Sequence, residues 1–191
     1  MPLLLLLSGP IAVGKSAIAR ELVEVHSFQT IRSGAYLAEL AARLGRQISR
    51  AALQQLGDTM DEQTDYRWLI DNVAVAAVEA NPRHERWLLD SVRKRRQVDH
   101  FRARFPDSIF HVHLTAAEHV LRERYTRRLS AGAEYSGDTS YETAVAHPNE
   151  LAAHSLIDIA DVILDVSQPS PSELAATILM RSNEGKGACA R

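Results

Sequence analysis

The chain reads as an α/β protein, a five-stranded parallel sheet with helices on both faces. Apolar strand-like runs and amphipathic helical stretches alternate five times along its 191 residues, the pattern of βαβ units. The first run, Leu3–Leu7, is five consecutive leucines, which suits a strand buried on both faces. Between it and the first helix lies the glycine-bearing turn Gly9–Ser16. Length and composition agree with one soluble domain over residues 1–181: 46% apolar residues and a net charge of −2 exclude an extended nucleic-acid binder. The leucine run falls short of the about 20 apolar residues a membrane span requires, and without a basic flank it is no signal sequence. Cys189 is the only cysteine, so no internal disulfide or cysteine metal cluster exists, and a cytoplasmic setting is expected.

After the turn, Ile18, Leu22 and Val25 recur at helical spacing, predicting a helix from Lys15 to about His26. Phe28–Ile31 follows as a short second strand. Leu37, Leu40, Ala41 and Leu44 mark a helix stopped by Gly45. Ser49 caps a further short helix expected to end at Gly57, and Asp58, Asp61, Glu62 and Asp65 read as an acidic connection. A longer helix is expected from about Asp65 to Ala80, ended by Asn81-Pro82. Trp87–Asp90 is the third strand, and a basic helix burying Val98, Phe101 and Phe105 leads to Pro106.

Ile109–Leu114 is the fourth strand, whose His111 and His113 read as satisfied core or interface histidines. Thr115-Ala116-Ala117-Glu118 has the form of a capping box for the next helix, which carries Arg122, Arg124, Arg127 and Arg128 on one side. Ser130–Pro148 reads as a loop or lid and Asn149 starts a helix. Asp161–Val166 is the fifth strand. Ser170, Pro171 and Glu173 start the last helix as cap, first-turn proline and box partner. Residues 182–191 are expected to be a disordered tail.

Ligands of such sheets gather beyond the carboxyl ends of the strands, which here carry the chemistry-bearing residues. Gly9-Pro10-Ile11-Ala12-Val13-Gly14-Lys15-Ser16 satisfies G-x-x-x-x-G-K-[ST]. Its glycines permit the turn that points successive N–H groups at a polyphosphate. The following helix N-terminus favours an anion. Gly9, Ala12, Val13, Gly14, Lys15, Ser16 and Ala17 therefore form a nucleoside-triphosphate site, with Lys15 on the β- and γ-phosphates and Ser16 on Mg²⁺. Asp90 closes an apolar strand at the same edge, where a carboxylate holds Mg²⁺ or orients an acceptor. Arg93 lies within reach of a second, anionic substrate, which a guanidinium fork suits. Arg124 and Arg128, four residues apart on one helix face, are expected over the transferring phosphate. His147 and Glu150 admit two readings, a metal pair or a lid latch, beside the plainer one that Pro148-Asn149 begins a helix.

On Gly9–Ser16, Asp90-Ser91-Val92-Arg93, Val112–Ala116 with Glu123-Arg124 and Arg127-Arg128, and Ala160–Asp165, the sequence resembles P-loop kinases of small metabolites, especially nucleoside and deoxynucleoside monophosphate kinases and dephospho-CoA kinases. The resemblance implies the P-loop nucleoside triphosphate hydrolase fold, ATP and Mg²⁺, an acceptor-binding helical region at about 32–80 and a lid at about 127–148. It also implies an acceptor site at Arg32, Ser33, Gly34 and Arg93. The Asp90-x-x-Arg93 turn is closest to the deoxynucleoside monophosphate kinase pattern. The arginine that adenylate kinases carry shortly after their Thr-Gly is absent around Ala38, and their Asp-Gly-x-Pro-Arg is replaced here by Asp90-Ser91-Val92-Arg93.

The leading expectation is therefore phosphorylation of a (deoxy)nucleoside monophosphate. The alternatives are a kinase of dephospho-CoA, a sugar acid or an antibiotic, and a regulatory ATP-binding module. No Asn-Lys-x-Asp stretch supports a GTPase, and no Asp-Glu pair ends the third strand as in motor ATPases. Oligomeric state is not legible.

Overall fold

The computed structural model describes residues 2–131 and 140–188. Its sheet has the strand order β2-β3-β1-β4-β5, with β1 at Leu3–Ser8, β2 at Gln29–Thr30, β3 at Arg86–Leu89, β4 at Ile109–Thr115 and β5 at Val162–Asp165. Every neighbouring pair is parallel. This is the P-loop nucleoside triphosphate hydrolase architecture expected from the strand–helix alternation.

The leucine run owes its composition to its central place. Leu5 lies opposite Leu88 of β3 and Phe110 of β4, and successive side chains point to opposite faces. Leu3, Leu5 and Leu7 join one core with Ile18 and Leu22 of α1 (Lys15–Glu24) and Leu174 and Ile178 of α9 (Pro171–Ala188). Leu4 and Leu6 join the other, with Trp87, Val98 and Phe101. The end of β1 is thus held from both sides.

The helices over the second core are α2 (Ser33–Arg43), α3 (Arg50–Gln63), α4 (Val75–Ala80) and α5 (Arg95–Arg104). On the other side of the sequence's midpoint come α6 (Glu118–Ser130), α7 (Tyr141–Val145) and α8 (Pro148–His154). Several expectations need correction. α3 does not stop at Gly57 but runs through it to Gln63, so Asp58 and Asp61 sit on a helix and not in an acidic connection. A Cβ at Gly57 would lie 3.4 Å from Leu37 Cδ1, an ordinary contact; the glycine sits inside α3 where it faces α2 and does not end the helix.

The expected helix from Asp65 begins later. Asp65 and Tyr66 take φ of +50° and +64°, which breaks the chain direction, and a π-helical stretch, Leu69–Ala74, precedes α4. That wider turn keeps Leu69, Ile70, Val73 and Ala74 buried together. The box expected at Thr115–Glu118 does not form: Ala117 is the N-cap without a side-chain bond, because Thr115 is still in β4. The box on α9 does form, with Ser170 N–H donating to Glu173 Oε2 at 2.8 Å and Glu173 N–H to Ser170 Oγ at 3.3 Å.

Residues 182–188 continue α9 and are not a disordered tail; Ser182 is buried and donates to Leu179 O at 2.9 Å. Cys189 and the rest of the expected tail lie outside the described residues, as do residues 132–139 of the expected lid. Among the described residues no helix is long and apolar enough to cross a membrane.

Leu5→Ala removes a wholly buried side chain from the middle of the central strand. The expected loss is about 2–5 kcal/mol in urea unfolding; an unchanged unfolding midpoint would contradict the packing described.

Candidate active site

The chain leaves β1 through Gly9 with φ +139°, and a Cβ there would meet Leu114 O at 2.6 Å. Ala12 and Gly14 also take positive φ, 62° and 107°, so the loop curls in the manner of an anion-binding nest, with Val13 N–H closing it onto Pro10 O at 3.4 Å. Gly14 is the N-cap of α1 and has no side chain to satisfy the helix's first amides. Ala17 N–H turns back onto Gly14 O at 3.0 Å, and the amides of Lys15 and Ser16 are left to an anion. Ser16 and Ala17 are exposed on the first turn.

Lys15 folds back across this loop, donating from Nζ to Gly9 O at 2.5 Å and Pro10 O at 2.9 Å. Burial lowers its ammonium to about 8, a shift that Glu150 and Asp90 oppose and Arg93 and Arg128 reinforce. The lysine is therefore surrounded by the charges of β3's exit, α6 and α8. Arg128 and Glu150 come to the lysine from more than a hundred residues away in the sequence.

Glu150 is the residue that sequence reasoning undervalued. Its Oε2 accepts from Ile11 N–H at 2.9 Å, so a carboxylate sits on a main-chain amide of the phosphate loop. Its Oε1 lies 3.6 Å from Arg93 Nη1. The acidic residue thus links α8, the loop and the Asp90–Arg93 turn. The neighbouring side chains secure α8: Asn149 Nδ2 donates to Asp58 Oδ1 at 3.1 Å, and His147 Nε2 lies 2.9 Å from Gln54 Nε2. His147 Nδ1 accepts from Asn149 N–H at 3.1 Å as the helix N-cap. The His-Pro-Asn-Glu spacing signals a helix start; only the fold brings Glu150 to the loop.

Arg124 and Arg128 both line a cleft of about 220 Å³ with Val13, Ala17, Pro169 and Leu174. Arg124 donates from Nη1 to Val13 O at 3.0 Å and from Nη2 to Val166 O at 3.1 Å. This arginine clasps the phosphate loop to the segment after β5. Its position is between those two segments, with both Nη groups engaged by main-chain carbonyls. Arg128 remains near enough to Lys15 to depress its ammonium.

On the other side of the turn, a cavity of about 210 Å³ lies between α2, α3 and α5, lined in part by Ser33, Asp58, Asp61, Arg93 and Lys94. Ser33 Oγ donates to Ser91 Oγ at 2.9 Å, joining the α2 start to the turn. Gln97 shapes that turn, its Oε1 accepting from Arg93 N–H at 3.1 Å and Lys94 N–H at 3.2 Å. Arg32 and Gly34 are exposed and do not line this cavity. Gly34 has open space where a side chain would sit, so no close approach requires it.

His111 and His113 are buried beneath the loop, where Ser8 Oγ lies 2.7 Å from His111 Nε2 and 2.9 Å from His113 Nδ1. Burial lowers both imidazoles to about 4, which makes them neutral core groups at physiological pH. Among the described residues no group of three or more His, Cys, Asp or Glu side chains is placed to hold a metal. Mg²⁺ fits the donor set in another way. Ser16 is exposed and Asp90 half-buried, and neither side chain has a hydrogen bond among the described residues. Two oxygen ligands at one sheet edge suit an ion that takes its remaining ligands from phosphates and water.

A family model described as an AAA domain matches residues 5–143. No curated protein matches the sequence. Among solved structures, an unliganded sugar kinase from Janibacter sp. HTCC2649 covers 98% of this chain and 98% of its own, at 17% identity and a TM-score of 0.55. A candidate kinase from Chloroflexus aurantiacus j-10-fl covers 96% and 97%, at 15% identity and a TM-score of 0.56. A gluconokinase from Sinorhizobium meliloti 1021 covers 99% and 94%, at 20% identity and a TM-score of 0.47. At these identities the first two likenesses establish the shared fold.

The lowered Lys15 ammonium makes nucleotide binding pH-dependent. A bound polyphosphate favours the charged amine and raises its value from the free-state value of about 8. Affinity for an Mg²⁺–ATP analogue is therefore full below pH 8 and declines above it, with proton uptake on binding at about pH 9 and almost none at about pH 6.5. Calorimetry in buffers of different ionisation enthalpy measures that uptake; none at the higher pH would contradict the assignment.

Proposed function

The chain belongs to the AAA-domain family, whose model matches residues 5–143, and from that premise we propose that it is an ATP-dependent phosphotransferase acting on a small molecule. The observation that carries this reading is a single site with two cavities. One borders the phosphate loop and the arginine face of α6, the other lies under α2 and α3, and Arg93 and Glu150 stand at the Asp90–Arg93 turn near the loop. The second cavity gives a small-molecule acceptor a place beside the loop.

In this reading Gly9, Ala12, Val13, Gly14, Lys15, Ser16 and Ala17 bind the nucleotide. The loop amides and the α1 N-terminus hold the β- and γ-phosphates. Lys15 leaves the Gly9 and Pro10 carbonyls to neutralise charge on the transferring group, and Arg128 adds a second positive charge. Arg124 keeps the loop and the β5–α9 segment in fixed relation, so that the base side of the nucleotide is preformed. Ser16 and Asp90 would hold Mg²⁺, which when bound screens the β- and γ-phosphate oxygens. An oxygen of the acceptor forms the new bond to the γ-phosphorus while the β–γ bridging P–O bond breaks and ADP leaves. Where that oxygen is a hydroxyl, its proton passes to a carboxylate at this edge, for which Asp90 and Glu150 are the groups at hand.

The acceptor region is about 32–80, with Ser33 and Arg93 at its mouth. The Asp90-Ser91-Val92-Arg93 turn favours a (deoxy)nucleoside monophosphate, because a half-exposed guanidinium beside the phosphate loop suits an acceptor phosphate. A sugar acid is the second reading. It is favoured by the cavity's modest volume of about 210 Å³, below the about 300–1,000 Å³ common for ligand pockets, and is consistent with the likeness to the sugar kinase above.

ADP formation across a panel of nucleoside monophosphates and sugar acids tests the reading. At least one acceptor is expected to raise turnover well above ATP alone, and Lys15→Met to lower kcat by about 10²–10³-fold. Tight Mg²⁺–ATP binding with no acceptor stimulation would favour the regulatory module instead.

A further inference from the structure

The cap and first turn of α8 touch both halves of the candidate site. His147 Nε2 lies 2.9 Å from Gln54 Nε2, and Asn149 Nδ2 donates to Asp58 Oδ1 at 3.1 Å, both partners on α3. The next residue, Glu150, reaches the phosphate loop and the turn after β3 together. Gln54, Asp58, Arg93 and Asn149 all line the acceptor-side cavity. Residues 147–150 therefore strap the acceptor helices to the nucleotide loop.

Glu150 is the part of this strap that a ligand can move. Its two oxygens serve two different groups: Oε2 accepts from Ile11 N–H at 2.9 Å, and Oε1 lies 3.6 Å from Arg93 Nη1. The first partner belongs to the loop that a polyphosphate enters. The second is the guanidinium that suits an anionic acceptor. The Glu150 side chain is only 12% exposed, so water does not readily stand in for either partner. A carboxylate and a terminal phosphate have the same sign of charge and compete for the one Ile11 N–H, so a nucleotide in the loop drives the carboxylate off.

Resting on the phosphotransferase reading above, we infer that Glu150 couples the two substrates: in the free protein it occupies the Ile11 amide and Arg93 at once, and a bound nucleotide, by displacing it, opens Arg93 to an anionic acceptor. The strap has a closed state, with Glu150 on the loop, and an open one, with Glu150 released. Both substrates bind the open state in preference. Nucleotide thus tightens acceptor binding, and the acceptor tightens nucleotide binding by the same factor. The acceptor gains its arginine once ATP is in place.

Amide hydrogen exchange of the full-length protein, with and without Mg²⁺ and the β,γ-imido analogue of ATP, reads the strap directly. With the analogue bound, amides at 11–16 are expected to exchange more slowly and those at 149–154 about 10-fold faster. General stabilisation does not produce opposite changes in two segments that touch. A strap equally or better protected, in protein that binds the analogue, would overturn the inference and leave the phosphotransferase reading intact. Failure to bind the analogue would overturn both. This experiment uses the unaltered chain and so stands whether or not a variant folds.

Calorimetry with CMP and gluconate, one a phosphate and the other a carboxylate, measures the coupling. At least one is expected to bind about 10-fold more tightly with the analogue present, the ratio when about a tenth of the free molecules are open. Glu150→Gln keeps a neutral oxygen for Ile11 and removes the charge that faces Arg93. It is expected to bind the analogue alone more tightly by a similar factor and to abolish the difference in probe affinity. Equal affinity of both probes with and without the analogue, no binding of either, or coupling that persists in Glu150→Gln would overturn the inference. Coupled binding with no ADP formed from ATP would uphold the strap and overturn the phosphotransfer.

Discussion

Gly9 approaches β4 so closely that the smallest side chain would place its Cβ 2.6 Å from the carbonyl oxygen of Leu114. This contact determines where the chain can turn. β1 is clamped by apolar cores on both faces and paired with β3 and β4 along its length, so its exit cannot drift. Only a residue without a side chain passes β4 there with φ +139°. The curl of the loop toward α1 starts from that approach, and the parallel pairing of β3 with β1 brings β3's exit to the same spot.

The resulting site satisfies itself with its own charges. The Lys15 ammonium rests on two loop carbonyls, and the Glu150 carboxylate rests on the Ile11 amide while facing Arg93. A carboxylate on a loop amide is what an anion nest accepts, so the intramolecular contact has the chemistry of the proposed ligand. A phosphate oxygen arriving at Ile11 replaces one anion by another at the same donor, and the lysine exchanges neutral carbonyls for an anionic partner. Both exchanges are electrostatically downhill for the lysine, whose buried ammonium is held at about 8 by incomplete compensation. The buried histidines below the loop stay neutral and add no positive charge of their own.

The sheet and the loop were legible because they rest on local signals. Five leucines in a row specify a central strand, and fixed glycine and lysine spacing specifies the turn after it. Ser33 and the Asp90–Arg93 turn lie at the same edge as the loop because a parallel sheet brings its strand ends together. What the sequence concealed was non-local. Gly57 reads as a helix end until α2 is seen against it, and Asp58 and Asp61 then become one helix face instead of a solvated connection. Arg124 reads as a phosphate-binding arginine, but its two carbonyl partners, Val13 and Val166, lie on segments whose proximity no spacing reveals. Glu150 is a plain first-turn glutamate in the sequence; its bond to Ile11 spans 139 residues. Arg32 and Gly34 are implied by the family resemblance alone; both are exposed, and only Ser33 between them reaches the cavity.

The central claim is that the main-chain amides between β1 and α1 grip a triphosphate. Backbone amide NMR of the full chain, titrated with a non-hydrolysable ATP analogue and Mg²⁺, reads those groups one by one. The account predicts saturable shifts at Ile11, Gly14, Lys15 and Ser16, larger than anywhere else on the sheet edge. Amides of this loop that stay in place at saturating nucleotide would contradict it.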